Sequence, residues 1–251
     1  MSSVLWLGIL GGLISFTATA VGALLSLTPT KSGPFVKFKF SIDFALGLML
    51  SAVAFSLVAP AAKNSLNNPK LFLLSLIGFV FGAVVIYGLK IFIERKEHAT
   101  HEQPQISSSQ LVLALALIVH NFPEGLASGA SLAGLDLKSA IPILSSIAIQ
   151  NIPEGLLMVL CLKGMGWNLK KSFAGGLFSG VVELVGGVVA GLLLSLVNQA
   201  LPVILMMAGG AMFTSVVIEL KEHGSFLNRI KQPQFAMGLL ALPLLTMILP
   251  S

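Results

Sequence analysis

A chain of 251 residues with 55% apolar and only 10% charged side chains, and a mean hydropathy of +0.94, could not fold in water without leaving most of its surface as hydrocarbon. That excludes a soluble globular domain. The net charge of +5 needs no nucleic acid to explain it, because the basic residues are arranged as a membrane topology signal, and the single Cys161 excludes an internal disulfide framework and reads as a small apolar residue.

Apolar runs long enough to cross a roughly 30 Å core as helices, about 17–25 residues each, lie near 4–27, 41–61, 71–93, 110–134, 138–162, 172–197, 200–221 and 234–250. They predict an all-α polytopic membrane protein of about eight transmembrane helices, one transporter-sized domain over 1–251 with the lipid bilayer as its solvent. The first run has no basic residues ahead of it and is longer than a signal-peptide core, so it reads as a retained helix. Between the third and fourth spans, "ERKEHATHEQPQISSSQ" predicts a cytoplasmic loop over about 94–109. His98 and His101, flanked there by Glu97 and Glu102, read as solvated loop residues, with loose metal capture as the alternative.

Cytoplasmic loops and helix ends carry an excess of lysine and arginine. Alternate junctions hold Lys31, Lys37 and Lys39; Lys90, Arg95 and Lys96; Lys163, Lys170 and Lys171; and Lys221, Arg229 and Lys231, while the other side has only Lys63, Lys70 and Lys138. The split of 12 against 3 accounts for all 15 basic residues and puts both termini outside, in an inner or plasma membrane.

Within the spans lie four acids, Glu124, Glu154, Glu183 and Glu219, with no basic residue at comparable depth. An ionisable group near the bilayer centre costs on the order of 2.5–3.5 kcal/mol and ordinarily faces a cavity or a partner. Protons or bound cations must therefore neutralise these carboxylates. Asp43 stands at the edge of its span and reads as hydrated.

Two of the four acids belong to a repeated motif, "HNFPEG" at 120–125 and "QNIPEG" at 150–155. On a helix His120 and Glu124 share a face, with Asn121 one step round, and Gln150, Asn151 and Glu154 repeat the arrangement. Pro123 and Pro153 should free the carbonyls of Val119 and Ile149, and Gly125, Gly129 and Gly155 should let the helices approach closely. Imidazole, carboxylates and amide oxygens together suit a divalent first-row metal. The same motif on consecutive, antiparallel spans implies a pseudo-two-fold axis in the membrane plane, with flanking triplets as inverted halves, a 3+2+3 bundle whose shared site lies near the midplane.

At these residues the chain resembles the ZIP family of divalent metal transporters, especially its short bacterial zinc-transporter and GufA-like branches. The resemblance implies that His120, Asn121 and Glu124 match the metal ligands of the fourth helix, and Gln150, Asn151 and Glu154 those of the fifth. Met49 looks like a methionine that some members place beside the metal, Glu183 like the sixth-helix acid that completes a second metal position, and Glu219 like an acid on the seventh helix near the cytoplasmic exit. Many relatives have histidine where Gln150 stands and others an acid where Asn151 stands, so the second metal position should be weaker or absent here.

The resemblance implies uptake of divalent metal into the cytoplasm, zinc first, with iron, manganese, cobalt and cadmium as further candidates. The metal is cargo, and no catalytic cofactor or enzymatic activity is expected. An intramembrane metallohydrolase would need a second histidine within the spans, and none is there. A membrane metal sensor that binds without flux is the remaining alternative. Small-xxx-small patterns at Gly8/Gly12 and Gly176/Gly180 would serve internal packing or a homodimer face.

Overall fold

The computed structural model describes residues 2–27, 34–99, 108–197, 199–222, 228 and 230–248, and every regular element among them is helical. Helix α1 (Ser2–Leu25) is followed by α2 (Pro34–Ala52), which passes without a break through a wider π-helical segment (Val53–Val58) into α3 (Ala59–Ser65). Then come α4 (Pro69–Ala99), α5 (Ser108–Gly134), α6 (Leu137–Gly164), α7 (Leu169–Leu196), α8 (Leu201–Glu222) and a last helix, α9 (Pro233–Ile248). Six described segments, on α1, α2 to α3, α4, α6, α7 and α8, are long and apolar enough to cross a membrane. Helix α9 carries a shorter apolar stretch, and in α5 the side chains of residues 108–117 lie outside the described set.

Two features differ from the sequence expectation. The loop expected from about residue 94 begins later, because α4 stays helical to Ala99; Glu94, Arg95, Lys96 and Glu97 are good helix formers, and nothing in "ERKEH" stops a helix. His101 and Glu102 lie outside the described residues. The π segment was not expected; it lies just ahead of Pro60, which cannot donate to the Ser56 carbonyl four residues back.

Helix ends at the margins are capped by short polar side chains. Asn68 Oδ1 accepts from the Leu71 N–H at 3.2 Å, Asp136 Oδ1 from Ser139 at 3.1 Å, and Asn168 Oδ1 from Lys171 at 2.9 Å. The backbone N–H and then the hydroxyl of Ser139 hold the Asp136 carboxyl below the usual carboxylate range. Its folded-state value being depressed, the cap stabilises α6 at neutral pH and above, and that contribution is lost as pH falls through the lowered value. Asp136→Asn should keep most of the cap and remove its pH dependence, and Asp136→Ala should lower the thermal midpoint at neutral pH; equal midpoints in acid and at neutral pH for the native chain would contradict this. Between α6 and α7 the chain turns at Gly166, whose φ of +83° suits a residue without Cβ.

Apolar helices gain little from burying against one another in lipid, so close backbone approach through small residues takes over. Helix α1 packs chiefly on α7 and also on α5 and α6, while α5 and α7 pack on each other. A second group pairs α2 with α9 and α4 with α8, and joins the first where α5 meets α8 and α2 meets α6. The glycines at these crossings come in reciprocal pairs. Gly22 abuts the Ile152 carbonyl and Gly155 that of Thr19, where α1 crosses α6; Gly125 abuts the Glu183 carbonyl and Gly186 that of Phe122, where α5 crosses α7. In the second group Gly47 and Gly238 meet the carbonyls of Phe235 and Phe44, and Gly82 and Gly210 those of Met207 and Phe79. Helix α4 is the most peripheral span, 22% buried in its apolar window against 67% for α8.

Candidate metal site

Both motif copies lie inside unbroken helices, "HNFPEG" in α5 and "QNIPEG" in α6, and both prolines are accommodated within them. The backbone puts His120 in α5 one turn before Glu124; its side chain lies outside the described residues. Asn121, Glu124, Gln150, Asn151, Glu154 and Glu183 are all buried.

The two copies meet through their side chains. Gln150 Nε2 on α6 donates to Glu124 Oε1 on α5 at 2.7 Å, and the carboxyl groups of Glu124 and Glu154 face one another. Glu183 of α7 and Glu219 of α8 lie within electrostatic reach of Glu154. No lysine or arginine is buried among the described residues, so none of these supplies the carboxylates with a fixed counter-charge.

Glu183 is held differently from the motif glutamates. Thr19 Oγ1 donates to Glu183 Oε1, and Asn151 Nδ2 donates both to Glu183 Oε2 at 2.9 Å and to Ser15 Oγ at 2.8 Å. This consumes the amide N–H groups and leaves amide oxygens over. Gln150 Oε1, Asn151 Oδ1 and both oxygens of Glu154 are buried with no amide, hydroxyl or backbone N–H donor among the described residues. A buried acceptor without a donor costs about 1–3 kcal/mol, more when charged. Four such oxygens at one helix crossing form a donor set that a hard or borderline divalent cation would satisfy. Among the described residues, which leave out the His120 side chain, no three of His, Cys, Asp and Glu converge.

Of the remaining sequence candidates, Met49 is buried in the main core on α2, and Glu219 is half-buried on α8 near the end of its span. The sulfur that touches the motif is that of Met212 on α8, 4.0 Å from Gln150 Nε2, a residue the sequence reading passed over. It also gave α1, which it did expect as a span, no part in the site. A signal was present: "GLISFTATAVG" at 12–22 and "GLFSGVVELVG" at 176–186 share Gly, Leu, Ser, Val and Gly in register, which sets Thr19 opposite Glu183 and Gly22 opposite Gly186.

Comparison with known proteins finds zinc transporters of similar sequence. The family model described as "ZIP Zinc transporter" matches residues 92–238. The zinc transporter ZIPB of Bordetella bronchiseptica is 34% identical over 211 residues, covering 81% of this chain and 68% of the relative. Zinc transporter GufA of Myxococcus xanthus is 31% identical over 218 residues, 82% of this chain and 83% of the relative. A zinc transporter ZupT of Salmonella newport is 28% identical over 236 residues, 89% of this chain and 88% of the relative.

Proposed function

Since the chain belongs to the ZIP family of membrane transporters, we propose that it carries divalent metal, zinc in the first place, into the cytoplasm through a site at the crossing of α5 and α6. The observation that carries this reading is the contact between the two motif copies, Gln150 Nε2 to Glu124 Oε1, which leaves the Gln150 and Asn151 carbonyl oxygens buried and unsatisfied. His120, Asn121, Glu124, Gln150, Asn151 and Glu154 are assigned to the cargo site. Glu183, bonded to Thr19 and Asn151, shapes its wall, and a second metal position beside it is weak or absent. Met49 is assigned a place next to the cargo, and Glu219 the cytoplasmic way out.

Alternating exposure suits an inverted 3+2+3 repeat. The reciprocal glycine crossings support it, since an axis relating α1 to α7, α2 to α8, α4 to α9 and α5 to α6 turns each crossing into its counterpart: Gly155 on Thr19 into Gly125 on Glu183, and Gly238 on Phe44 into Gly82 on Met207. Such an axis brings the site to the bilayer midplane. The charge split then puts both termini outside.

The test is metal flux into proteoliposomes, with zinc competed by iron, manganese, cobalt and cadmium. Metal-selective uptake is expected, and the order of competition ranks the cargo. Because the ligands must shed protons to hold metal, uptake should fall as the medium is acidified. Tight binding without flux would favour a sensor, and uptake rising steadily in acid would overturn the ligand assignment.

A further inference from the structure

Several hydroxyls in the spans satisfy themselves on their own helix. Thr17 Oγ1 donates to the Leu13 carbonyl at 2.7 Å, Ser131 Oγ to that of Ala127 at 2.7 Å and Thr214 Oγ1 to that of Gly210 at 2.9 Å, the usual bond to the fourth residue back. Two buried hydroxyls of α1 depart from this habit. Thr19 Oγ1 donates across to Glu183 Oε1 of α7, while Ser15, one turn earlier on the same face, accepts from Asn151 Nδ2 of α6 at 2.8 Å and also hydrogen-bonds the Glu183 carboxyl. Glycines make their seat: a Cβ on Gly155 of α6 would strike the Thr19 carbonyl, and one on Gly180 of α7 would come within 3.4 Å of the Thr19 side chain.

This cluster fixes the state of two groups. The Glu183 carboxyl takes hydrogen bonds from Thr19, Ser15 and Asn151, whereas neither oxygen of Glu154 has an amide, hydroxyl or backbone N–H donor among the described residues. A cation at Glu183 would have to displace those donors and leave each of them buried without an acceptor. The Asn151 amide is fixed as well. Both of its N–H bonds are taken, one by Glu183 Oε2 at 2.9 Å and one by Ser15, and the reversed amide would set its oxygen against an acceptor oxygen of Glu183. Oδ1 is thereby left as the buried atom of that amide with no donor among the described residues.

We propose that Ser15 and Thr19 are positioning residues that set the number of ions in the site to one: they hold Glu183 as an anchor for the Asn151 amide, so that Asn151 Oδ1 is presented to cargo and the carboxyl beside it is kept from taking a second ion. On the reading of the α5 and α6 crossing as a divalent-metal site, on which this rests, charge agrees. Glu124 and Glu154 together match one divalent ion, and Glu183 is balanced by hydrogen bonds instead of by metal. Helix α1 then acts on the site without touching the cargo.

The experiment is equilibrium dialysis of the purified full chain in detergent against zinc, with bound metal counted per chain and the thermal midpoint of each variant read in metal-free buffer. His98→Ala and His101→Ala are carried throughout so that the loop adds no zinc of its own. The native site is expected to hold one zinc. Thr19→Val keeps the shape and removes the donor, and it should raise the count to two, because the released carboxyl lies within electrostatic reach of Glu154. Thr19→Ser, which retains the donor, should hold one, and Thr19→Val/Glu183→Gln should return to one. Ser15→Ala frees the Asn151 amide and should weaken zinc binding about fivefold at an unchanged count. A residue that merely packs would shift the midpoint and move neither reading, and should Thr19→Val fail to fold, Ser15→Ala decides. Two zincs in the native site, one zinc in a folded Thr19→Val variant, or native affinity in Ser15→Ala would each overturn the proposal. No zinc in the native chain is a different result, which would overturn the metal-site reading itself.

Discussion

Glu154→Gln is expected to reduce zinc flux by about 10- to 100-fold, the equivalent of the roughly 1.5–3 kcal/mol that an interaction with a charged group contributes. Glu154 brings two buried oxygens that no amide, hydroxyl or backbone N–H donor among the described residues occupies, and they face the carboxyl of Glu124. In Glu124 one oxygen already accepts from Gln150 at 2.7 Å. Glutamine at 124 could present its own oxygen to that donor, so Glu124→Gln should lose less than Glu154→Gln, and the double variant should be inactive. Both substitutions keep shape and remove a carboxylate from a site without lysine or arginine, so neither should impair folding. Flux in proteoliposomes and zinc affinity by titration, each read beside thermal midpoint, separate loss of site from loss of fold. Flux unchanged in both single variants would remove the site from α5 and α6.

The helices were legible in the sequence because lipid leaves few alternatives: apolar runs near 71–93 and 138–162 fall within single helices, α4 and α6, and the run near 172–197 ends one residue past α7. The motif pairing was legible too, because His120 to Glu124 and Gln150 to Glu154 are one helical turn apart wherever the helices lie. What periodicity could not supply was the third dimension. Helix α1 carries no ionisable residue between Ser2 and Leu25, so the part Ser15 and Thr19 play around Glu183 emerges only when α1 is laid across α6 and α7. The same holds for Met212, one of 9 methionines, which acquires meaning only through its distance to Gln150. The π segment Val53–Val58 runs up to Pro60, which has no N–H for the Ser56 carbonyl, a signal that the sequence reading did not use, and within it Ser56 Oγ lies 2.9 Å from Ser146 Oγ of α6.

The crossings that assemble the site make the second large prediction. A Cβ at Gly125 would penetrate the carbonyl of Glu183, and one at Gly155 the carbonyl of Thr19, so neither neighbour is a side chain that can swing aside. Overpacking a close-fitted core costs about 1–3 kcal/mol and occasionally more, and contact with rigid backbone belongs at the upper end. Gly125→Val and Gly155→Val should therefore lower the thermal midpoint in detergent by roughly 2–4 °C per kcal/mol, about 6 °C or more each. Gly22→Val and Gly186→Val fall at the reciprocal positions, against Ile152 and Phe122, and should lose as much although they bear no cargo ligand. Gly88 provides the contrast on α4, since a Cβ there would meet nothing within 4 Å. Gly88→Ala should leave the midpoint unchanged or raise it, by the helix preference for alanine of up to about 1 kcal/mol. If all five variants melted alike, close approach would not be what these glycines provide. If the four crossing variants fall together while Gly88→Ala does not, the helices that carry the acids are held in place by backbone contact, and the spacing of Glu124, Glu154 and Glu183 is set by glycine.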